Sequence, residues 1–260
     1  MSENVIAEIK RDHIYALAVE GKREDGRAVD EYRPITIETD WVSKAEGSAR
    51  VQIGDTQIVV GVKIQPGEPF SDTPDVGVII TNIELVPLAS PKFESGPPRP
   101  PAIELARVTD RGVRESKSID LKALCITPGE KVWMIFIDMH VLDDLGNLQD
   151  TAALGAIAAL KTAHIPYVNF GLGDKDIPLP VNDTPVAITA VKIGGEIMLD
   201  PSLDEESVTT TKLTIISNND GNIVGMQKSG TGSLTVDEIK NTIKMAVEKA
   251  KEIRKDVLGM

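Results

Sequence analysis

Three stretches gather side chains able to hold or transfer charged groups. In "ELARVTDRGVRESKSID", Arg107, Arg111 and Arg114 stand at i, i+4 and i+7, so on a helix all three project from one face, with Lys117 beside them. Guanidinium groups grip phosphate oxygens in bidentate fashion, which makes this face a candidate phosphate track, though a solvated helix face has the same pattern. In "VLDDLGNLQDTAALGAIAAL" a glycine turn joins a strand to a helix of small apolar residues. Free N–H groups and partial positive charge at such a helix start form an anion site. The turn nevertheless carries Asp143, Asp144 and Asp150 and no basic side chain. In "GGEIMLDPSLDEES", Asp200, Asp204, Glu205 and Glu206 follow a strand, where clustered carboxylates either hold Mg²⁺, act as acid and base, or form a solvated turn. "GTGS" at Gly230 to Ser233 lacks the Gly-Lys-Ser/Thr ending of a P-loop and reads as a turn feeding a helix cap.

The elements that must position these groups come from pattern. Ser2 to Val19 has helical spacing, with Ser2 as N-cap and Ile6, Ile9, His13 and Leu17 inward. Ile35, Ile37 and Trp41 alternate on a strand, and Gly54-Asp55 marks a hairpin. "VGVIITNIELVPL" is a strand, and the prolines of "ASPKFESGPPRPP" stop regular structure until Ala102. A helix follows from Ala102 to about Ser118, then the buried strand "KVWMIFIDMHVL" and a central helix from Thr151 to Ala163. Beyond the Pro/Gly/Asp-rich connection "HIPYVNFGLGDKDIPLPVNDTP", a second round repeats hairpin, strands and helix. Thr235 and Glu238 form a capping box for that last helix, with Ile239, Ile243, Val247, Ala250 and Ile253 as its buried stripe. The class is α+β, with mixed, antiparallel-rich sheets packed against helices.

Composition narrows the function. The chain has 260 residues, 41 % hydrophobic and 26 % charged, as in ordinary globular proteins. A net charge of −12 excludes a protein that coats nucleic acid with its whole surface and confines any such contact to local cationic patches. The polar start "MSENVIAEIKRDH" reads as neither a signal nor a transit peptide, and no apolar run approaches the roughly 18 residues of a membrane span. The single Cys125, expected as a buried structural thiol, has no disulfide partner, so a reducing cytoplasm is expected.

In order, "REDGRAVDEYRPITIE", "GSARVQIGDTQIVVGVK", "RVTDRGVRESKSIDLKAL", "WMIFIDMHVLDDLGNLQDTAALGAIAAL", "LDPSLDEES" and "GNIVGMQKSGTGSLTVDEI" resemble the RNase PH family, in particular its non-catalytic ring subunits of the archaeal exosome. The resemblance covers about Gly21 to Lys251. It implies an RNase PH-like domain of two βαβα-type halves, with an N-terminal helical segment (1–25), a first half (26–165), a connection (166–185) and a second half (186–260). Active members of the family shorten RNA from its 3′ end by phosphorolysis, holding phosphate in a Gly-Thr/Ser-Arg type loop. Gly146, Asn147, Leu148, Gln149 and Asp150 match that loop here without its hydroxyl and arginine. Active members also place two aspartates six apart, where this chain has Asp200 and Glu206, leaving metal binding there open. Arg111 and Arg114 match an R-x-x-R used on the RNA side. The resemblance therefore implies no catalytic residue and no cofactor in this chain, and it assigns no metal ligand. Its implied partners are a catalytic RNase PH-like exosome subunit in an alternating heterohexamer (a trimer of dimers), RNA-binding cap subunits and single-stranded RNA, with no membrane. Two alternatives stay open: an independently active phosphate-dependent exoribonuclease using Asp200 and Glu206, and a purely structural spacer.

Overall fold

The computed structural model describes residues 2–259, with side chains from residue 9 onward, so the Ser2 cap and Ile6 lie outside the described side chains. The first sheet contains β1 (Ile35–Thr39), β2 (Gly47–Ile53), β3 (Thr56–Gly67), β4 (Val78–Leu85), β5 (Cys125–Thr127) and β6 (Lys131–Asp143). Its order is β1-β2-β3-β6-β4 with β5 beside β6, and only β4 runs parallel to its neighbour. The expected hairpin pairs Ile53 with Thr56, and Gly54 takes φ +58°, a left-handed conformation that glycine adopts without strain. Trp41 falls beyond β1, where the Arg50 guanidinium lies 5.0 Å from its ring centroid. Cys125 is half-buried rather than enclosed.

The second sheet contains β9 (Val186–Ile193), β10 (Glu196–Leu199), β11 (Thr211–Ser217) and β12 (Ile223–Ser229), all antiparallel in the order β10-β9-β11-β12. Between the halves, β7 (His164–Ile165) pairs with β8 (Ile177–Pro178). The helices are α1 (Ser2–Val19), α2 (Pro100–Glu115), α3 (Leu148–Thr162), α4 (Leu203–Val208) and α5 (Val236–Asp256).

Helix α3 lies between the sheets, against β2 and β3 on one side and β9 on the other. Its small residues make this possible: a Cβ on Gly155 would stand 2.7 Å from a Val60 methyl. Ala153 packs with Val108, Ala187 and Ile216, while Ile188 and Ala190, on the opposite face of β9, join Ala246 and Ala250 of α5 in the main core. The Thr235/Glu238 capping box forms, with backbone-to-side-chain bonds of 3.2 and 2.7 Å. The buried residues of α5 are Thr242, Ala246, Ala250, Ile253 and Arg254, with Ile239, Ile243 and Val247 half-buried on the margin. The smaller side chains let the helix sit close to the sheet. Helix α1 packs against β9 and α4 through Ile14 and Ala18, which meet Val191, Ile193, Met198 and Val208. Ile9 and His13, expected inward, are exposed, because among the described side chains of α1 it is Ile14 and Ala18 that face β9 and α4. Among the described residues no helix is long and apolar enough to cross a membrane.

Candidate functional site

Helix α2 begins two residues before the expected Ala102, with Pro100 and Pro101 in its first turn, where a missing N–H removes no helical hydrogen bond. It ends at Glu115. Lys117 follows at φ +54°, its N–H bonded to Arg114 O at 3.0 Å while Ser118 N–H reaches Val113 O at 3.3 Å. This paired closure takes Lys117 off the helix face and leaves it exposed at the cap. The arginines also differ from one another. Arg107 and Arg111 are exposed, and neither makes an ion pair or side-chain hydrogen bond among the described residues. Arg114 Nε donates to Asp110 Oδ2 at 2.6 Å and its terminal nitrogen to Ile79 O, so much of its fork is committed to β4.

The expected phosphate loop divides between a turn and a helix. Gly146 (φ +95°) and Asn147 (φ +58°) form the turn, and Leu148, Gln149 and Asp150 are the first turn of α3. The protein occupies the turn's N–H groups itself. Leu145 N–H donates to Thr56 Oγ1 at 3.1 Å, Gly146 N–H to Asp144 Oδ1 at 3.2 Å and Asn147 N–H to Glu206 Oε1 at 3.3 Å. Two of its own carboxylates thus hold N–H groups of the turn, while among the described residues no side chain caps the start of α3. A Cβ on Gly146 would lie 2.4 Å from Leu203 N, so the start of α4 closes over the turn. Burial pushes the Asp144 carboxyl up, the Gly146 N–H opposes this, and Glu206 reinforces it.

The three aspartates that the sequence sets around the turn do not act together. Asp143 ends β6 in register with Gln57, and Asp150 faces the interior. Its carboxylate accepts from Tyr32 Oη (2.6 Å), Asn147 Nδ2 (2.9 Å), Thr189 N (2.8 Å) and Thr189 Oγ1 (2.7 Å). Burial raises its pKa to about 6 against these donors. Gln149 is also buried, donating to Thr109 Oγ1 at 3.3 Å, and Leu148 is half-buried. The turn also has basic neighbours: Arg33 donates to the carbonyls of Leu145 (3.0 Å) and Gly146 (3.1 Å), and Lys212 Nζ to Glu206 Oε1 (3.2 Å).

The acidic cluster is neither an open acid–base pair nor a solvated turn. Asp200 is fully buried at φ +48° and accepts from Arg27 (2.8 Å), Arg33 Nε (2.9 Å) and Nη2 (2.8 Å), Arg33 N (2.9 Å) and Asn147 Nδ2 (2.7 Å). Burial alone would raise its pKa, but the Arg33 guanidinium and its further donors hold the carboxyl below its ordinary range. A cation would have to displace two guanidinium groups. Glu205 forms a buried bidentate pair with Arg23 at 2.8 and 2.6 Å while completing a capping box with Ser202, and Asp204 pairs with Lys10 at 2.6 Å. Among the described residues no cluster of three or more His, Cys, Asp or Glu side chains is placed to hold a metal.

Sequence reasoning missed Arg23, Arg27, Tyr32 and Arg33. Their signal was available: several arginines stand in a non-periodic stretch just before the first strand, within an acidic chain whose carboxylates must be paired if buried. Nothing local pointed to Thr56, Thr189 or Lys212, which reach the site from remote strands.

Residues 31–166 match the model for the 3′ exoribonuclease family, domain 1, and residues 183–249 that for domain 2. The chain is 67 % identical over 260 residues to the exosome complex component Rrp42 of Methanocella arvoryzae, covering 100 % of both. It is similar to a chain in a structure described as the Archaeoglobus fulgidus exosome with RNA bound to the active site, with a TM-score of 0.94, 50 % identity and 96 % and 98 % of the two chains covered. A chain of an archaeal exosome core is also similar, with a TM-score of 0.91, 47 % identity and 98 % of each chain covered.

Proposed function

This chain belongs to the RNase PH family of 3′ exoribonucleases, and from that premise we propose that it is a non-catalytic core-ring subunit of an archaeal RNA exosome. In this reading it alternates with a catalytic RNase PH-like subunit in a six-membered ring, a trimer of dimers that carries RNA-binding cap subunits in the cytoplasm. It contributes to 3′-to-5′ phosphorolytic RNA degradation and processing without performing the chemistry. Arg107 and Arg111 grip single-stranded RNA beside the partner's active site, with Arg114 and Lys117 at the edge of the contact.

One contrast carries the reading: the inherited phosphate turn is filled by Asp144 and Glu206, whereas Arg107 and Arg111 stand exposed and unpaired among the described residues. A phosphate brought to the turn would meet a seated carboxylate, and two unit charges at 4 Å repel by about 4 kcal/mol at an effective dielectric of about 20. Holding and orienting the nucleophile supplies much of the acceleration in such a reaction, so losing the phosphate seat removes it. The independently active alternative would need Asp200 free to act, and its oxygens are taken by Arg27, Arg33 and Asn147.

The test compares this chain alone, the catalytic subunit alone and their reconstituted complex for phosphate-dependent release of nucleoside diphosphates from single-stranded RNA. The isolated chain should release none, and the complex should be active. Robust release by this chain alone would overturn the assignment.

A further inference from the structure

Between the end of β4 and the start of α2 the chain folds over a groove of about 500 Å³, within the roughly 300–1,000 Å³ of small-ligand clefts. Its lining includes Phe93, half-buried against the main core, and Pro87, Pro97 and Pro98. The charges around it largely cancel. Glu94 is paired with Arg99, and Glu84, 3.4 Å from His140, is balanced only when that ring is protonated. Lys92 remains, exposed, its ammonium without a partner among the described residues. Three residues before it, Ala89 O accepts from Asp144 N–H at 3.2 Å, which sets this side of the groove beside the phosphate turn. The floor reaches Ala102, in the first turn of α2, and at 1.5 Å per residue Arg107 stands about 8 Å further along the same helix.

The geometry points to a subsite for one base of single-stranded RNA, with the base on Phe93 and the proline faces and the adjoining phosphate at Lys92. It rests on the reading of α2 as an RNA-binding helix and adds a second contact at its N-terminal end, about 140° around the helix from Arg107. Every base has a planar face that stacks on an aromatic ring, so the site is tolerant of sequence. The single unpaired cation suits a single phosphate.

The experiment uses the full chain, alone and in its ring, with oligoribonucleotides carrying one 4-thiouridine for crosslinking and fluorescein for binding. Phe93→Leu keeps the apolar volume that packs on the core and removes the ring; Lys92→Glu changes an exposed side chain. Crosslinks should map to residues 87–101 as well as to α2. Phe93→Leu should weaken binding by about fivefold, the low end of a stacking contact, and Lys92→Glu should reduce the salt slope by roughly 0.7. Crosslinks confined to α2, with both variants binding as wild type, would overturn the subsite and leave the α2 reading standing. If Arg107→Ala/Arg111→Ala is equally silent, the RNA-binding reading of α2 falls with it. A Phe93→Leu chain that binds RNA normally but fails to enter the ring would assign the groove to the partner protein and overturn the RNA subsite.

Discussion

Asp150 shows how far a side chain's position in sequence can stand from its role. Its place beside the glycine turn suggests a charge facing an incoming phosphate, yet it points between the halves, where Tyr32, Asn147 and Thr189 donate to it. Burial raises its pKa from 3.8 to about 6. The folded chain therefore keeps a proton between pH 4 and 6 that the unfolded chain releases, so the contribution to stability is fully present below the unfolded pKa and is lost as pH rises through the folded one. Over that window the loss amounts to about 3 kcal/mol, at about 1.4 kcal/mol per pKa unit. Asp150→Asn removes the titration and can keep the bonds. Its Oδ1 replaces the oxygen that accepts three donors, and its amide donates to Thr189 Oγ1, whose own proton turns to Thr214 Oγ1 at 2.8 Å. Urea unfolding from pH 4 to 8 should show the stability of Asp150→Asn rising relative to wild type up to about pH 6 and holding level above it. A flat difference would mean that Asp150 titrates outside this range. Asp200, depressed by Arg33, loses its contribution only as pH falls through a folded pKa below this window, and the loss is common to both proteins.

At the level of elements, signals contained within a few residues were read correctly and those that depend on remote contacts were not. The Gly54-Asp55 hairpin and the Thr235/Glu238 box carry their geometry in their own residues. The start of α2 was misplaced because proline ends one helix and begins another with equal ease. The inward face of α1 was misjudged because its spacing permits several faces, and only β9 and α4 choose Ile14 and Ala18. That residues 146–150 carry no arginine was legible; that Glu206 accepts from Asn147 N–H was not, since Glu206 comes from α4 in the other half. The first turn of α3 makes this distinction testable. A change of Gln149→Arg supplies the guanidinium that the family's loop carries and this chain lacks, but Gln149 is 6 % exposed and faces Thr109. The new charge would be buried without a carboxylate, at a cost of several kcal/mol. The variant should lower Tm by several degrees and gain no phosphate-dependent RNA shortening. Measurable phosphorolysis by this single variant alone would show that its arginine reaches the turn and that Asp144 and Glu206 do not block it.

For the whole molecule, the net charge of −12 makes the location of unpaired cations informative. Arg23, Arg27 and Arg33 are consumed inside, neutralising Glu205 and Asp200, and Arg114 is tied to Asp110. Arg107 and Arg111 remain on the open face of α2, so a ring lined with this face would offer RNA a local grip on an otherwise repellent surface. Replacing both with Ala should leave ring assembly intact, because neither pairs with another described side chain. It should weaken RNA binding and slow degradation by the assembled complex. Every phosphate of single-stranded RNA that no longer meets a guanidinium reduces the salt slope by roughly 0.7, so the double variant should be flatter by about 1.4. Wild type and variant should then differ most at low salt and converge as salt rises. Lys251→Ala/Lys255→Ala on α5 removes the same charge from exposed positions on another helix and provides the control. If the arginine variant assembles normally and binds and degrades RNA as the control does, across the whole salt series, the α2 face is merely solvated and this subunit is a spacer in the ring.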